Sequence, residues 1–172
     1  MTETIKQNNF LKWVNKQVDK LLSDDNPFER VSPEHMKGRS KYPMIPQRQT
    51  KRSAGFDIHL ADSVYLKAGE TKSTFTDIKC KLKDDEVLLI FIRSSIGTKR
   101  HISLANGTGV GDADYYGNPD NDGNIGLVLH NWGQDSQIFD VGDRVAQGVI
   151  VKYQAYGRPI RERIGGFGSS GK

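Results

Sequence analysis

The sequence has 172 residues, 35% of them hydrophobic, and its 25 Lys and Arg against 21 Asp and Glu give a formal net charge of +4. This length predicts one domain with a modest extension, and the longest purely apolar run, VLLIFI (residues 87–92), is far too short to span a membrane. A single cysteine, Cys80, excludes an intramolecular disulfide and a multi-cysteine zinc site, so we expect a reducing, cytoplasmic setting.

The basic excess lies in the first third of the sequence, and the remainder is close to neutral. A basic arm can bind a polyanion by releasing counterions, but a solvated charged face explains such an excess more often. We therefore do not expect nucleic acid to be a partner.

Residues 1–25 predict a helical extension. Six apolar residues of this segment share one helical face: Phe10, Leu11, Val14, Val18, Leu21 and Leu22. Pro27 stops the pattern because it cannot continue the helical hydrogen bonds. We expect the helix to dock on its own chain or on a neighbouring subunit, with a membrane surface or a protein partner as alternatives.

From Phe28 onward the pattern changes to short strands separated by turns. The apolar run at residues 87–92 is too short for a lone helix and predicts a buried strand. Other segments predict strands as well: residues 63–82, 124–132 and 144–154. The absence of helical patterns between them favours an all-β sandwich or barrel. The predicted division is a β core over residues 26–155 and a Gly-rich arm over residues 156–172.

Residues 106–124, NGTGVGDADYYGNPDNDGN, combine acidic and aromatic side chains with many glycines. If the segment is extended, Asp112 and Asp114 point to opposite faces, so that one can face a ligand while the other braces the loop. Tyr115 offers a ring on which a sugar or base can pack. An ordinary acidic hairpin is the alternative.

Two further segments carry groups that suit phosphates. RSSIGTK (residues 93–99) places two serines between basic residues after the predicted buried strand, although Ser and Gly at such a point often form only a turn. In the C-terminal RIGGFGSSGK, Arg163 offers a charged fork, Ser169 and Ser170 offer hydroxyls, and Phe167 can cover a flat group. The alternative is a tail that binds nothing.

Five segments in order resemble the five motifs of the trimeric dUTP pyrophosphatase (dUTPase) family. They are SAGFDI (53–58), RSSIGTK (93–99), NGTGVGDADYYG (106–117), GDRVAQ (142–147) and RIGGFGSSG (163–171). The resemblance implies an all-β fold, a jelly-roll-like distorted β-barrel of the β-clip type, forming a homotrimer with three shared active sites. It also implies Mg²⁺-dependent hydrolysis of dUTP to dUMP and pyrophosphate, with the C-terminal arm as a lid.

By position in the third and fifth motifs, Asp112 would orient and deprotonate the water that attacks the α-phosphorus. Tyr115 would pack on the deoxyribose and exclude a 2′-hydroxyl. Asn106 and Gly109 would belong to the hairpin whose backbone reads uracil, and Phe167 would lie over the uracil.

The resemblance implies that phosphates are held by seven residues: Arg93, Ser94, Ser95, Gln147, Arg163, Ser169 and Ser170. Asp57 and Asp114 would be supporting carboxylates. The Mg²⁺ ion would be held by the substrate phosphates and water, with no direct side-chain ligand.

The sequence departs from the family pattern at three places. Gly111 replaces a branched apolar residue before the first aspartate of the third motif, and we expect the added flexibility to slow turnover. Residues 118–123, NPDNDG, lengthen the hairpin. Arg163 precedes Phe167 by four positions where five is usual, which keeps Arg161 as an alternative phosphate ligand.

Two other functions are compatible with the same motifs. A deoxycytidine triphosphate deaminase would be expected to carry a catalytic glutamate after the third motif, and no Glu occurs in residues 123–139. A dUTP-binding regulatory protein on this scaffold would use the N-terminal helix to bind a protein partner.

Overall fold

The computed structural model of the chain describes residues 26–158, and their regular secondary structure is mainly β-strand. The strands are β1 (Phe28–Arg30), β2 (Phe56–His59), β3 (Val64–Leu66), β4 (Thr71–Phe75), β5 (Ile78–Cys80), β6 (Glu86–Ile92), β7 (Ile102–Leu104), β8 (Gly109–Gly111), β9 (Gly126–Asn131), β10 (Gln137–Phe139) and β11 (Arg144–Lys152). Helix α1 (Ser94–Arg100) follows β6, and two 3-10 turns cover Pro33–His35 and Ala113–Tyr115. None of these helices is long and apolar enough to cross a membrane.

The strands form four antiparallel sheets. The largest has the order β2-β11-β6-β8, the second has the order β4-β9-β7, and two small sheets pair β1 with β5 and β3 with β10. The mainly β fold is thus confirmed, but no sheet closes into a barrel within the described range. The jelly-roll comparison remains a prediction, while the helical extension and most of the C-terminal arm lie outside the described residues.

One hydrophobic core is shared by the two larger sheets. Leu88 and Ile90 of β6 enter it from one sheet, and Leu127 and Leu129 of β9 enter it from the other. Each such side chain contributes about 1.5–3 kcal/mol by leaving water. This shared core fixes which face of each strand points inward, and therefore which residues remain for the site.

The prediction of a buried strand at residues 87–92 is correct for one face of β6 only. Leu88 is 1% exposed, whereas Phe91 on the other face is 36% exposed and Leu89 is half-buried. The described part of the chain supplies one packing layer for this strand. The outer face stays accessible although its sequence is apolar.

Helix α1 was missed by the sequence reading, which expected a turn after β6. Arg93 keeps an extended backbone, and its carbonyl oxygen accepts hydrogen bonds from the N–H groups of Ile96 and Gly97 at 3.0 and 2.9 Å. Ile96 packs against the core. The Arg100 Nε also donates to the side chain of Gln137 at 2.8 Å, so polar and apolar contacts both hold the helix. At seven residues it is too short to give a periodic sequence signal.

A buried polar pair ties the segment before β2 to the loop before β9. Asp77 and Asn124 are both fully buried, and the Asn124 amide donates to the Asp77 carboxylate at 2.8 Å and to the His35 carbonyl at 3.1 Å. The same carboxylate accepts the N–H groups of Lys37 and Gly38, each at 2.8 Å. These bonds satisfy groups that burial would otherwise leave destabilising.

His59 of β2 is a second buried polar residue, and its Nδ1 has no hydrogen-bond partner among the described residues. Burial lowers the pKa of His59 below its ordinary value of 6.5, and Arg144 and Arg93 act in the same direction against an opposing effect of Asp57. The imidazole is therefore held in its neutral form.

This depressed pKa makes the fold sensitive to acid. The contribution of neutral His59 to stability is fully present above pH 6.5 and is lost as the pH falls through the lower, folded-state pKa. Denaturant titrations between about pH 7.5 and about pH 5.5 should show a falling free energy of unfolding in the parent and a shallower fall in His59→Gln. Identical slopes for the two proteins would contradict this assignment.

Candidate active site

The largest sheet brings three residues of different predicted motifs together at one end. Asp57 of β2 lies directly opposite Gln147 of β11, and Gln147 lies opposite Phe91 of β6. Arg93 comes immediately after β6, and its N–H donates to the carbonyl of Val145 at 3.0 Å. Residues far apart in sequence therefore meet because β11 pairs with β2 on one side and with β6 on the other.

Asp57 is the centre of an ion-pair cluster at this end of the sheet. Its Oδ1 lies 3.1 Å from Arg93 Nε, and its Oδ2 lies 3.1 Å from the Nη1 of Arg144. Arg93 also donates through Nη1 to the Arg144 carbonyl at 3.2 Å. The Asp57 residue is only 7% exposed, while the side chains of Arg93 and Arg144 are 27% and 44% exposed. We call these three residues the Asp57 cluster.

The Asp57 cluster holds the guanidinium group of Arg93 in a position that is partly exposed to solvent. A guanidinium has five N–H donors in a fixed fork, and the contacts described above involve only the Nε and Nη1 atoms of Arg93. Two arginines against one carboxylate leave a local excess of positive charge. The arrangement suits an anion such as a phosphate. Sequence reasoning missed Arg144, although it lies within the quoted GDRVAQ motif.

Ser94 and Ser95 lie in the first turn of α1, beside this cluster, and both are exposed. The N–H groups of a first helical turn have no partner within the helix. The serines therefore present hydroxyl and backbone donors next to Arg93, on a short helix rather than on the predicted turn.

Gln147 depends on a glycine that sequence reasoning did not single out. A Cβ atom at Gly55 would lie 2.8 Å from Gln147 Oε1 and 3.4 Å from its Cβ. The glycine of the SAGFDI motif thus leaves room for the Gln147 side chain. In the sequence, the glycine of this motif was the feature that could have indicated a close contact with another side chain.

A second group of predicted residues surrounds a cavity of about 270 Å³ beside β8. Asn106, Gly109, Asp112 and Tyr115 all line it. The rest of its wall is mainly apolar and comes from the core: Cys80, Leu82, Leu88, Ile90 and Ile125. Burial raises the pKa of the Cys80 thiol to about 12, so Cys80 acts as part of the wall and not as a nucleophile.

Two glycines shape the hairpin beside this cavity. Gly107 has a φ of +73°, which favours glycine at the turn. A Cβ atom at Gly109 would lie only 3.0 Å from Ile90 Cβ, so β8 can approach β6 closely. Because β8 is the edge strand of its sheet, its other backbone edge faces the cavity side without a neighbouring strand in the described range.

Tyr115 is held firmly in the wall of the cavity. It is 8% exposed, and its hydroxyl donates to the Asn124 carbonyl at 3.0 Å while accepting a hydrogen bond from Asn121 Nδ2 at 2.7 Å. Its N–H donates to the carbonyl of Asp112 at 3.1 Å. This bond links the backbones of Asp112 and Tyr115.

The expectation that Asp112 and Asp114 alternate along an extended segment is wrong. Asp112 is extended, with φ of −83° and ψ of 159°, but Asp114 lies within the 3-10 turn Ala113–Tyr115. Both residues are exposed. The turn forms because the Tyr115 N–H bonds back to Asp112, which removes the two-residue alternation.

Gly111 lies at the end of β8, opposite Leu88. A Cβ atom there would lie 3.4 Å from Leu88 Cβ, an ordinary contact distance, and its φ is not in the left-handed region. The backbone therefore does not require glycine at this position. Its predicted effect on turnover stays a prediction.

The Asp57 cluster with its neighbouring residues and the predicted residues around the cavity beside β8 form two half-sites. These two half-sites do not meet within one chain. Gly111, which precedes Asp112, pairs with Leu88, while Arg93 lies five residues further along the β6 direction. At about 3.4 Å per residue this is a separation of about 17 Å. The antiparallel register thus places the carboxylate and the Asp57 cluster at opposite ends of β6.

The remaining predicted residues, Arg163, Phe167, Ser169 and Ser170, together with Arg161, lie outside the described residues. Within residues 26–158, no group of three or more His, Cys, Asp or Glu side chains could hold a metal ion.

Comparisons with known proteins identify the family. Residues 41–171 match the family model described as dUTPase. The chain belongs to the dUTPase family. The deoxyuridine 5′-triphosphate nucleotidohydrolase of Lactococcus lactis is 39% identical to it over 131 residues, which cover 74% of this chain and 87% of that protein. The predicted enzyme class, a dUTP diphosphatase, is therefore confirmed.

Solved structures give the same fold. The dUTPase of Streptococcus mutans matches with a TM-score of 0.68 and 31% identity, covering 76% of this chain and 98% of that one. A dUTPase of Staphylococcus bacteriophage 80alpha with dUPNHPP matches with a TM-score of 0.62 and 26% identity, covering 86% and 99%.

The buried ion pairs of Asp57 should matter more than a comparable exposed pair. Asp57→Asn removes the charge that faces two guanidinium groups, and we expect it to lower the free energy of unfolding by about 1–2 kcal/mol, a value reduced because both arginines are partly exposed. Asp62→Asn is the matched control, since its pair with Arg39 is largely exposed. Urea denaturation measures both, and equal losses would show that the Asp57 cluster is not a structural centre.

Proposed function

We propose that the chain hydrolyses dUTP to dUMP and pyrophosphate at sites shared between copies, with Asp112 as the general base. The observation that carries this proposal is the separation of about 17 Å between the two half-sites along β6. Reacting atoms must approach within roughly 3–3.5 Å, so one nucleotide cannot use both half-sites of a single chain. A neighbouring copy must bring its Asp112 to the Asp57 cluster.

The outer face of the largest sheet supports assembly. Leu89 of β6 lies opposite Val110 of β8 on one side and Val149 of β11 on the other, and Val87 lies opposite Val151. Val110 is 60% exposed. We call these five residues the outer sheet face.

A contiguous apolar face of this kind marks an interaction surface in a water-soluble protein. The Asp57 cluster borders one end of the outer sheet face. Gln147 pairs with Asp57 of the cluster, and two residues further along β11 Val149 pairs with Leu89 of the face. A second copy covering the face would therefore approach the cluster. A closed ring of three copies, as the resemblance implies, satisfies this requirement at every interface.

In the proposed reaction the cavity beside β8 takes the nucleoside. Backbone groups on the open edge of β8 read the uracil, with Asn106 contributing its side chain. The narrow spacing between β8 and β6 gives the stiff wall that a steric rejection of the thymine methyl needs. Tyr115 packs on the deoxyribose, where its fixed ring leaves no space for a 2′-hydroxyl.

Asp112 then aligns a water molecule with the α-phosphorus and accepts its proton. The new bond joins the water oxygen to the α-phosphorus, and the bond from that phosphorus to the bridging oxygen breaks, so pyrophosphate leaves. Arg93, Ser94 and Ser95 of the neighbouring copy hold the α- and β-phosphates. Gln147 and the C-terminal residues Arg163, Ser169 and Ser170 meet the β- and γ-phosphates, while Phe167 covers the uracil.

The residues of both half-sites fit a metal that is carried by the substrate. The Asp57 cluster carries cations rather than a set of carboxylates, so it matches phosphate oxygens and not a divalent ion. Mg²⁺ would be held by the phosphates and water, where it neutralises charge on the leaving group.

A regulatory role as the main function rests on residues 1–25, which lie outside the described range. No observation in the described structure favours it.

Asp112→Asn tests the base directly. The amide keeps the shape of the carboxylate but cannot accept the proton, so we expect kcat for pyrophosphate release from dUTP to fall by about 10²–10⁴-fold with little change in KM. The same assay on dTTP, dCTP and UTP should show a strong preference of the parent for dUTP. Release of ammonia from dCTP would favour the deaminase. If the Asp112→Asn protein hydrolyses dUTP as fast as the parent does, Asp112 is not the general base.

Mixing two inactive variants tests the shared site. Asp112→Asn and Arg93→Ala, unfolded together and refolded at equal concentration, should form some interfaces that carry both intact residues. Random assembly gives such interfaces at about one quarter of the sites, so about one quarter of the parent activity should return. Each variant refolded alone is the control, and no recovery in a mixture whose subunits have exchanged would contradict a site shared between chains.

A further inference from the structure

The loop of residues 118–123, which lengthens the third motif, is a tightly bonded turn. The Asp122 N–H donates to the Asn118 carbonyl at 2.7 Å, and the Asp120 N–H donates to the Asn118 side chain at 2.8 Å. Gly123 closes the turn with a φ of +79°, and a Cβ atom there would lie 2.7 Å from the Tyr115 carbonyl oxygen. The loop is thus packed directly against the tyrosine that precedes it.

The outer side of the loop is anchored to the body of the protein. The Asp122 carboxylate accepts the Ser32 N–H at 2.8 Å and lies 2.9 Å from Lys79 Nζ. The side chains of this ion pair are 13% and 14% exposed, so solvent screens it little. This anchor holds the loop in place through Asp122.

The inner side of the loop contacts Tyr115 through Asn121. The amide oxygen of Asn121 accepts the Gly123 N–H at 3.0 Å, which leaves its NH₂ group to donate to the Tyr115 hydroxyl at 2.7 Å. That hydroxyl donates its single hydrogen to the Asn124 carbonyl at 3.0 Å. The far end of the ring is therefore fixed from two directions, and the donor and acceptor roles are set by the network.

We propose that Asn121 is a positioning residue for discrimination between deoxyribose and ribose. It acts by fixing the Tyr115 ring against the sugar of the bound nucleotide. This inference rests on the proposed function, because that function places the sugar on Tyr115. Asn121 is not among the residues that line the cavity, so it acts through the tyrosine and not on the substrate.

The consequence is a link between the lengthened loop and substrate choice. A ring held at its hydroxyl cannot tilt, and a 2′-hydroxyl then meets a fixed wall. If the bond from Asn121 is lost, the ring gains freedom and the rejection of ribose weakens. Binding of deoxyribose also weakens, because the packing surface is no longer held ready.

Asn121→Asp is the sharpest test. The carboxylate keeps the size of the amide and the oxygen that accepts the Gly123 N–H, but it loses the donor to Tyr115. We expect kcat/KM for dUTP to fall about three- to tenfold, mainly through KM, and the ratio of dUTP to UTP activity to fall with it. If the parent hydrolyses dUTP and Asn121→Asp leaves the ratio of dUTP to UTP activity unchanged, the inference is overturned and the proposed function stands.

A double-mutant cycle with Tyr115→Phe separates positioning from loop damage. Without the hydroxyl, Asn121→Asp should have no further effect on the dUTP to UTP ratio. An equal effect in both backgrounds would overturn the inference.

Lys79→Met is the control for the anchor. It removes the ion pair to Asp122 on the outer side, so it should lower Tm without lowering the ratio. If Lys79→Met lowers the ratio of dUTP to UTP activity as much as Asn121→Asp does, the inference is overturned. The fall would then come from a less stable loop and not from the hydrogen bond between Asn121 and Tyr115. A parent without activity on dUTP would overturn the proposed function and the inference with it.

Discussion

The antiparallel pairing of β6 with both β8 and β11 is the constraint on which the rest of the site depends. It sets Gly111 opposite Leu88 at one end and Gln147 opposite Phe91 at the other. A slip of one residue would move Leu88 out of the core, so the register is strongly fixed. The separation of the two half-sites is therefore rigid, and it cannot be closed by bending the chain. In the proposed function, this separation couples hydrolysis to association between copies.

The sequence of β6 reflects the same coupling. A strand with one face in water usually alternates between apolar and polar residues, whereas residues 87–92 are apolar on both faces. The core covers Leu88 and Ile90, and the described chain leaves Leu89 and Phe91 at least partly accessible. The sequence signal of a strand buried on both sides makes sense once a second copy covers the outer sheet face.

Contacts between residues that are close in the sequence could be predicted, whereas contacts between residues far apart in the sequence could not. The hairpin half-site comes from one continuous stretch, so Asn106, Asp112 and Tyr115 could be grouped from the sequence and its family resemblance, and all three line one cavity. The Asp57 cluster joins one residue each of β2 and β11 with the residue that follows β6, and the partnership of Asp57 with Arg144 depends on a register that no local pattern gives. Helix α1 and the 3-10 turn at Ala113–Tyr115 were missed because each is shorter than the window of about 11–18 residues in which helical periodicity can be detected. The hydrogen bond from Asn121 was equally out of reach, since it depends on how residues 118–123 fold back.

The charges of the Asp57 cluster explain why Arg93 can be both fixed and available. One carboxylate opposite two guanidinium groups holds their positions but leaves an excess of one positive charge, and the neutral form of the neighbouring His59 adds nothing to it. A second carboxylate near Arg93 would cancel that excess and compete with a phosphate. The register keeps Asp112 of the same chain about 17 Å away, so it does not neutralise the cluster that its own chain offers. In the proposed function, the base and the phosphate-binding arginine therefore meet only where two copies join, and the negative charge of the nucleotide lies between them.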